Sequence, residues 1–531
     1  MTPPVADSQP LAPRAFPGGA LGWWTSVVLV LALTATRAGA AWFSYSFDGY
    51  ADEPAVIDPA LAAARGVFRP SEFLYPGFTS YTTALVFYVC DLAGMGGESG
   101  FLPERPGPDH FVVGRLVVFA LSLATQLVTA LAGRRLFGPW AGLAAAALCA
   151  ASPLFTGMSV ISNVNGPASL WTVSAVFFSA RVYADGRRWR DYLLAGVCAG
   201  LAVGSKYNSY SACLTLVVAH LFAPGADAGL WRRATRGIAP LVAGGCAAVL
   251  AFFAITPYAA LEFGRFIDDL RYLSDIYEKY WPLHTNPSGR TWVDYVERMW
   301  AFGWAREMFI ASSVGVVVAV RRDWRLALIA AVAALFNWLF LGFYPVYFLR
   351  HFLPAVPAFA LFAGAFVQWA SERTARAAGP TRARWAAPLA GALLMALIGA
   401  RSLALSQTRI AKSELLDSRQ PAKEWIVEHV PRGARIVCEE RGPFEGPDPN
   451  FEIRIVRSIA QPDIRAEIEA ESDYVVLTLM GAGKLEREPT FSGAAERYEE
   501  FARRHELVSE FRGRGVQYSG RDIRVFRIRR E

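Results

Sequence analysis

Residues 48–54 read Asp48-Gly49-Tyr50-Ala51-Asp52-Glu53-Pro54, and the acidic pair near their end stands just beyond the first long apolar segment, Leu21 to Ala41. Carboxylates at a bilayer face are costly to keep and usually mark function. An Ala-rich amphipathic stretch runs on from Pro54 to Gly66, followed by Arg69-Pro70 and Tyr75-Pro76-Gly77, so the acids open a structured loop at a membrane face. Asp52 has an acidic neighbour and a following proline that fixes the chain, which sets it apart from Asp48 and Asp58. Two roles suit it: a general base taking a proton from a nucleophile, or the N-terminal cap of the helix that follows. One residue can do both.

The composition says what surrounds this pair. Of 531 residues, 53% are apolar and only 19% charged, with 16 Trp and 35 Phe, which excludes a single soluble globule and reads as a polytopic α-helical membrane protein. The net charge of +7 sits in short Arg clusters between apolar runs, the pattern that orients helices, so no nucleic-acid partner is expected. Of the six cysteines, Cys149, Cys198, Cys213 and Cys246 lie in apolar runs, and none has the two-residue spacing of a zinc site. Leu21 to Ala41 lacks a small-residue cleavage site and is read as a retained first span.

Apolar runs suited to crossing ~30 Å of hydrocarbon fall near Leu21–Ala41, Phe111–Ala132, Trp140–Met158, Pro167–Tyr183, Tyr192–Ser205, Tyr210–Phe222, Ile238–Ile255, Met308–Val320, Leu326–Phe343, Phe352–Trp369 and Ala386–Leu405. The expectation is about 11 spans. Clustered positive charge follows every second run, at Arg134-Arg135, Arg187 to Arg190, Arg232 to Arg236, Arg321 to Arg325 and Arg373 to Arg384, so all five loops can share the cytoplasmic side. That parity requires Tyr75 to Asp91 to be a membrane-associated helix inside one long external loop; a twelfth span there, with the N-terminus outside, is the alternative. The division expected is a cytoplasmic tail at 1–20, a transmembrane part at 21–409 with external loops at 42–110 and 256–305, and a small external α/β domain at 410–531. In that last part Ser418 to Val430 has helical spacing, and Arg435 to Cys438, Tyr474 to Leu477 and Ile523 to Ile528 read as short buried strands.

Other chemistry-bearing residues collect on the external face. Lys206-Tyr207 closes a tight turn after Gly200 and Gly204, and Arg350-His351 opens the run that holds Pro354 and Pro357. Two fixed cations suit an anionic group such as a phosphate, with Arg fitted to bidentate contact; read singly, each also suits snorkelling to headgroups. The loop after Thr256-Pro257-Tyr258 carries Glu262, Asp268, Asp269, Tyr272, Tyr277, Tyr280, Trp281, His284, Tyr295 and Trp300, a set fitted either to stacking on a sugar or to the headgroup belt. His284 stands alone, so no metal site is expected there.

Taken in order, Tyr50 to Pro54, Ala63 to Gly66, Arg69-Pro70, Tyr75-Pro76, Gly114-Arg115, Arg134 to Gly138, Ser152-Pro153, Gly200 to Tyr207, Thr256 to Tyr258, Arg350 to Pro357, Asp417 to Arg419 and Glu424 to Ile426 resemble the GT-C fold glycosyltransferases. The likeness is to the bacterial dolichyl-phosphate-mannose-protein mannosyltransferase-like and aminoarabinose-transferase-like superfamily, and it covers most of the membrane part. The resemblance implies a GT-C-like integral-membrane enzyme of the bacterial inner membrane, with its C-terminal domain periplasmic or extracellular. It implies transfer of a sugar, with inversion, from a polyprenyl-phosphate donor to a lipid, glycan or protein acceptor. Asp52 with Glu53 would be catalytic; Lys206, Arg350 and His351 would hold the donor phosphate; Tyr75, Asn165, Tyr207 and Tyr258 would contact substrate. Members often carry an acid before the proline after the fourth span, whereas this chain has Asn163-Val164-Asn165-Gly166-Pro167. An amide there is no base and a weak cation ligand, so no cofactor is required by the motifs, and a divalent cation stays an open alternative. The competing readings are a transporter or flippase of lipid-linked sugars, which would need inverted repeats that the chain does not display, and a catalytically silent GT-C-like binding subunit.

Overall fold

The computed structural model describes residues 16–42, 52–97, 100–223, 235, 237–278, 286, 289–414, 418–440, 442–444, 448–456, 458–460, 465–478, 493–513 and 522–529. Asp48, Tyr280, Trp281, His284 and Asp417 lie outside them. The helices used below are α1 (Gly19–Ala35), α2 (Pro54–Ala64), α3 (Phe78–Leu92), α4 (Pro108–Leu136), α5 (Pro139–Ala151), α6 (Pro153–Ser159), α7 (Asn165–Ala184), α8 (Trp189–Ser205), α9 (Cys213–Phe222), α10 (Ile238–Ile255), α11 (Phe263–Glu278), α12 (Arg306–Leu341), α13 (Val356–Ala377) and α14 (Gly379–Glu414).

Among the described residues six helical stretches have the length and apolarity to cross a membrane: Gly19–Trp42, Pro108–Leu136, Ile238–Ile255, Arg306–Leu341, Leu349–Ala377 and Thr381–Thr408. A seventh is the broken pair α5 and α6, bent by 67°. The remaining expected runs form the helices α7, α8 and α9. The stretch Arg306–Leu341 is interrupted at Asp323, whose backbone is extended (φ −159°, ψ 98°). Its Oδ1 accepts the N–H groups of Arg325 (3.0 Å) and Leu326 (3.3 Å), capping the second half, and this break separates the two expected runs at 308–320 and 326–343. Helix α3 has 15 residues; at ~1.5 Å per residue it falls short of the hydrocarbon thickness, and it packs on α2.

A broken helix is tolerated inside a bilayer only if its freed backbone groups find partners in the protein. Here Arg37 donates to the Ala150 carbonyl (2.6 Å) and Ser406 to the Ala151 carbonyl (2.7 Å), so the 3-10 turn Thr36–Trp42 that follows α1, together with α14, closes the α5–α6 break. Ser152, at the bend, donates to the Gly303 carbonyl.

The Arg-rich loops converge on one end of the bundle. Arg135 pairs with Asp185, Arg322 donates to the Phe137 carbonyl (3.0 Å) and faces Glu372 (3.7 Å), and Tyr183 donates to Asp323 (2.9 Å). The 232–236 cluster falls largely outside the described residues. At the opposite end lie α2, α3, α11 and the turns that hold Lys206 and Arg350.

The seam between α8 and α10 positions Lys206. Gly196, Gly200 and Gly204 recur every fourth residue, and a Cβ on them would stand 2.0 Å from the Gly244 carbonyl oxygen, 2.1 Å from that of Ala248 and 2.3 Å from Ile255 Cδ1. Small residues let the backbones touch, which is how helices associate where no hydrophobic drive separates them from lipid. Lys206 is the first residue beyond α8.

From Arg419 the chain forms a separate mixed sheet of order β2-β1-β3-β5-β4, with β1 (Arg435–Glu439), β2 (Glu452–Val456), β3 (Tyr474–Leu477), β4 (Glu506–Phe511) and β5 (Ile523–Arg527). Strands β1, β2 and β3 run parallel, and β5 pairs antiparallel with β3 and β4. Alternation splits the core: Val437, Val475 and Phe526 pack on one face, Ile436, Cys438, Val476 and Val525 on the other. At the strand ends the buried Glu439 accepts from Ile459 N (3.0 Å), Thr478 N (2.9 Å) and Tyr498 Oη; burial raises its carboxyl pKa despite those donors.

Because the α8–α10 seam admits no side chain, Gly200→Leu is expected to force the helices apart, costing at least the ~1–3 kcal/mol of an overpacked core. A lowered thermal midpoint of the detergent-purified chain, with weakened binding at Lys206, checks it.

Candidate functional site

The site grows from the turn before α2. Glu53 is fully buried, and its carboxylate receives Arg115 Nε (2.8 Å) and Nη2 (2.7 Å) in a bidentate pair with both side chains at 0% exposure. The Ser162 N–H adds a third donor (2.9 Å), and Arg115 Nη1 reaches the Ala41 carbonyl (3.1 Å). One ion pair therefore joins the end of the first span, the turn before α2, α4 and the turn before α7. Glu53 thus anchors the loop from within, and its neighbour Asp52 is left at the edge of the site.

Asp52 Oδ2 meets Arg350 Nε at 2.9 Å, each side chain 20% exposed. The guanidinium also lies over the Phe348 ring, 4.2 Å from its centroid, so its plane is set from two sides. Lys206 is buried and donates from Nζ to Asn165 Oδ1 (2.8 Å), within electrostatic reach of both Arg350 and Asp52. Asn165 is held in turn: Asn163 Oδ1 accepts the N–H groups of Asn165 (2.8 Å) and Gly166 (3.1 Å), while Asn163 Nδ2 donates to the Met158 and Ile161 carbonyls. The Asn-Val-Asn-Gly-Pro stretch is a helix-starting cap that presents an amide oxygen to an ammonium.

The other sequence-predicted residues stand close by in different roles. His351 is buried, with its ring against Tyr277 and Phe348 and its Nε2 3.4 Å from Tyr277 Oη. Tyr207 donates its hydroxyl to the Phe73 carbonyl (3.0 Å) and packs on Phe266. Tyr75 and Tyr258 line a cleft of about 680 Å³ whose walls include Pro54, Ala55, Asp58 and Tyr81. Asp52, Lys206 and Arg350 are not among the residues that line it. Along its rim Glu262 bridges Arg69 and Arg265, whose guanidiniums hold its carboxyl below the ordinary value, and Asp269 accepts the Phe73 N–H (2.8 Å). Glu262 and Asp269 are thus structural clamps between 69–73 and the start of α11, whereas Asp268 pairs with Arg271 on the helix itself.

Two contributors, Arg115 and Asn337, were given no role of their own from the sequence. Arg115 carried a signal that could have found it, a cation inside the apolar run 111–132. Asn337 sits within an apolar run and spans Asn208 Nδ2 (3.4 Å) and the His351 carbonyl (3.3 Å), tying the Lys206 turn to the Arg350 turn. Tyr277, one of the loop aromatics named from the sequence, reaches His351 from α11.

Comparison with known proteins gives this geometry a setting. Residues 108–257 match the family model described as dolichyl-phosphate-mannose-protein mannosyltransferase. ArnT from Cupriavidus metallidurans in the apo state aligns over 95% of this chain and 98% of that one, at 14% identity and a TM-score of 0.56. The chain has the GT-C glycosyltransferase fold. The same ArnT bound to undecaprenyl phosphate aligns equally well, and the apo oligosaccharyltransferase of Archaeoglobus fulgidus covers 89% of this chain and 72% of its own at 13% identity and a TM-score of 0.55. No curated protein sequence matches the chain. In this GT-C chain the charged cluster stands at the end of the bundle away from the Arg-rich loops, and the membrane helices carry it.

Removing one partner of the Glu53–Arg115 pair leaves an uncompensated buried charge. Arg115→Met is expected to destabilise the chain by about 3–5 kcal/mol, read as a lowered thermal midpoint and loss of the folded detergent-soluble species, with Arg115→Lys milder because it keeps the charge but not the bidentate fork.

Proposed function

We propose that this chain is an inverting glycosyltransferase that moves a sugar from a polyprenyl-phosphate donor to a hydroxyl-bearing or amine-bearing acceptor. The observation that carries this reading is the meeting of one carboxylate, Asp52, with two cations, Arg350 and Lys206, at the end of a membrane bundle. The GT-C fold and the undecaprenyl-phosphate complex of a protein with the same fold support it.

Asp52 serves as general base. It takes the proton of the acceptor nucleophile as that atom bonds to the anomeric carbon from the face opposite the phosphate. The bond from anomeric carbon to phosphate oxygen breaks, its electron pair leaves on the polyprenyl phosphate, and the configuration inverts. Lys206 and Arg350 sit where the charge gathered on the leaving phosphate is met by ammonium and guanidinium donors. Arg350 has a double task, since the same guanidinium orients Asp52. The aromatic cleft beside α2, with Tyr75, Tyr81 and Tyr258 in its wall, begins at Pro54, two residues from the base, and offers a stacking surface for a lipid, glycan or protein-borne acceptor. Membrane lipids hold the donor's polyprenyl tail between helices.

Asp52→Asn keeps the size of the side chain and removes proton acceptance, so transfer from a polyprenyl-phosphate sugar by the purified chain is expected to fall by ~10²–10⁴ with donor binding retained. Near-normal turnover in that variant would overturn the assignment. Lys206→Ala is expected to raise the donor KM by roughly 10-fold or more, the worth of one charged hydrogen bond, while leaving acceptor dependence in place. Arg350→Ala is expected to lower kcat as well, because it releases Asp52.

The reading also sets a sidedness. The bacterial inner membrane would hold the Arg-rich loops in the cytoplasm and the Asp52 cluster, with the C-terminal α/β domain, outside. Single cysteines at Asp109 and at Ser509, in a background without the native thiols, are expected to react with an impermeant thiol reagent in intact cells. Labelling of one and protection of the other would show that the first loop and the C-terminal domain lie on different sides.

A further inference from the structure

We infer that this site works without a divalent cation, because Lys206, held by Asn165, supplies the positive charge that a metal ion would bring. The inference rests on the donor reading above and adds the kind of electrophilic assistance that the site gives. A hard divalent cation needs several oxygen ligands with charge among them. At this cluster Asp52 has Arg350 Nε on its Oδ2 at 2.9 Å, and Glu53 is enclosed by Arg115 and the Ser162 N–H. The side-chain oxygen of Asn165 is a neutral amide acceptor already taken by Lys206 Nζ at 2.8 Å. Among the described residues no group of three or more His, Cys, Asp or Glu could hold a metal ion. Among the described residues, a divalent ion placed between Asp52 and Asn165 would have to displace two cations and would still find one charged ligand, Asp52.

The charge count runs the other way. Among the described residues Asp52 and Arg350 cancel, Asn165 contributes nothing, and a protonated Lys206 adds one positive charge; burial lowers its pKa to about 7, and an anionic phosphate beside it favours the ammonium form again. A sugar bound through a phosphodiester carries one negative charge, and the polyprenyl phosphate that departs carries up to ~2 at neutral pH, since the second phosphate pKa is near 6. The fixed ammonium thus balances the bound donor, and with Arg350 it meets the further charge that develops as the anomeric carbon–oxygen bond breaks and its electron pair moves to the phosphate. Asn165 acts as a positioning residue. It orients the ammonium with a neutral oxygen, where a carboxylate at the same place would cancel the charge meant for the phosphate.

Undecaprenyl phosphate is the probe. Its binding to the detergent-purified full chain is measured in excess EDTA and again with Mg²⁺ or Mn²⁺, for the parent and for Asn165→Asp, Asn165→Ala and Lys206→Ala. The expected result is equal parent affinity in both conditions. Asn165→Asp, nearly isosteric, is expected to weaken binding by about tenfold in EDTA, and Mg²⁺ is expected to recover part of that loss by neutralising the new carboxylate. Asn165→Ala is expected to weaken it less, since the ammonium keeps its charge and loses only its support. Lys206→Ala is expected to weaken it in both conditions. Parent binding that collapses in EDTA and returns with Mg²⁺ would overturn this inference alone, as would an Asn165→Asp variant that binds as tightly as the parent in EDTA. Failure of the folded parent to bind undecaprenyl phosphate in any condition would overturn the donor reading and this inference together.

Discussion

The Glu53–Arg115 ion pair is the constraint on which the external face of this protein depends. Both side chains are fully buried and share two hydrogen bonds, and each has a further partner, the Ser162 N–H for Glu53 and the Ala41 carbonyl for Arg115. Two charges withdrawn from water are stabilised only when geometry and remaining hydrogen bonds are both satisfied, so the pair tolerates one arrangement of four chain segments. That arrangement is what leaves Asp52 pointing at Arg350. The value of the pair lies in specificity of position more than in net stability, since an apolar replacement of both partners could pack as well.

A second layer of support comes from polar bridges buried at span ends. Asn163 caps α7 and presents Asn165, which holds Lys206; the glycine seam of α8 brings Lys206 to that point; Asn208 and Asn337 link its turn to the turn of His351 and Arg350. Each contact is modest in energy. Together they fix a carboxylate and two cations on rigid helix ends, where a transferring group meets preorganised charge instead of mobile side chains. The same principle closes the α5–α6 break, where Arg37 and Ser406 take up carbonyls that lipid could not satisfy.

Much of this was legible in the chain, for stated reasons. Hydropathy and the alternation of Arg clusters mark a polytopic helical protein because a bilayer leaves few alternatives for long apolar segments. Asp52, Lys206 and Arg350 were legible as charges at the ends of apolar runs, where a charge needs a reason. The strands Arg435–Glu439, Tyr474–Leu477 and Ile523–Arg527 were legible because both faces are buried, whereas β2 and β4 escaped notice as edge strands whose charges, Glu452, Arg454, Glu506 and Glu510, face outward. The resemblance implies a substrate contact for Tyr207, and the loop that carries Glu262 and Asp269 suits a sugar or the headgroup belt; in the fold the polar atoms of all three hold the 69–73 segment, a pairing that no local pattern encodes.

By itself the sequence determined the helical membrane architecture, the segregation of positive charge to alternate loops and the identity of the three charged side chains, since each of these follows from local composition and period. Only the tertiary structure decided that Glu53 is the buried anchor and Asp52 the partly accessible acid, because the two are adjacent and alike in sequence, and the difference is made by Arg115, which stands 62 residues away. It also decided that Asn165 faces Lys206 across 41 residues. Partners so far apart in the chain meet only after the helices have packed, and no local rule of spacing encodes which carboxylate a buried guanidinium will find.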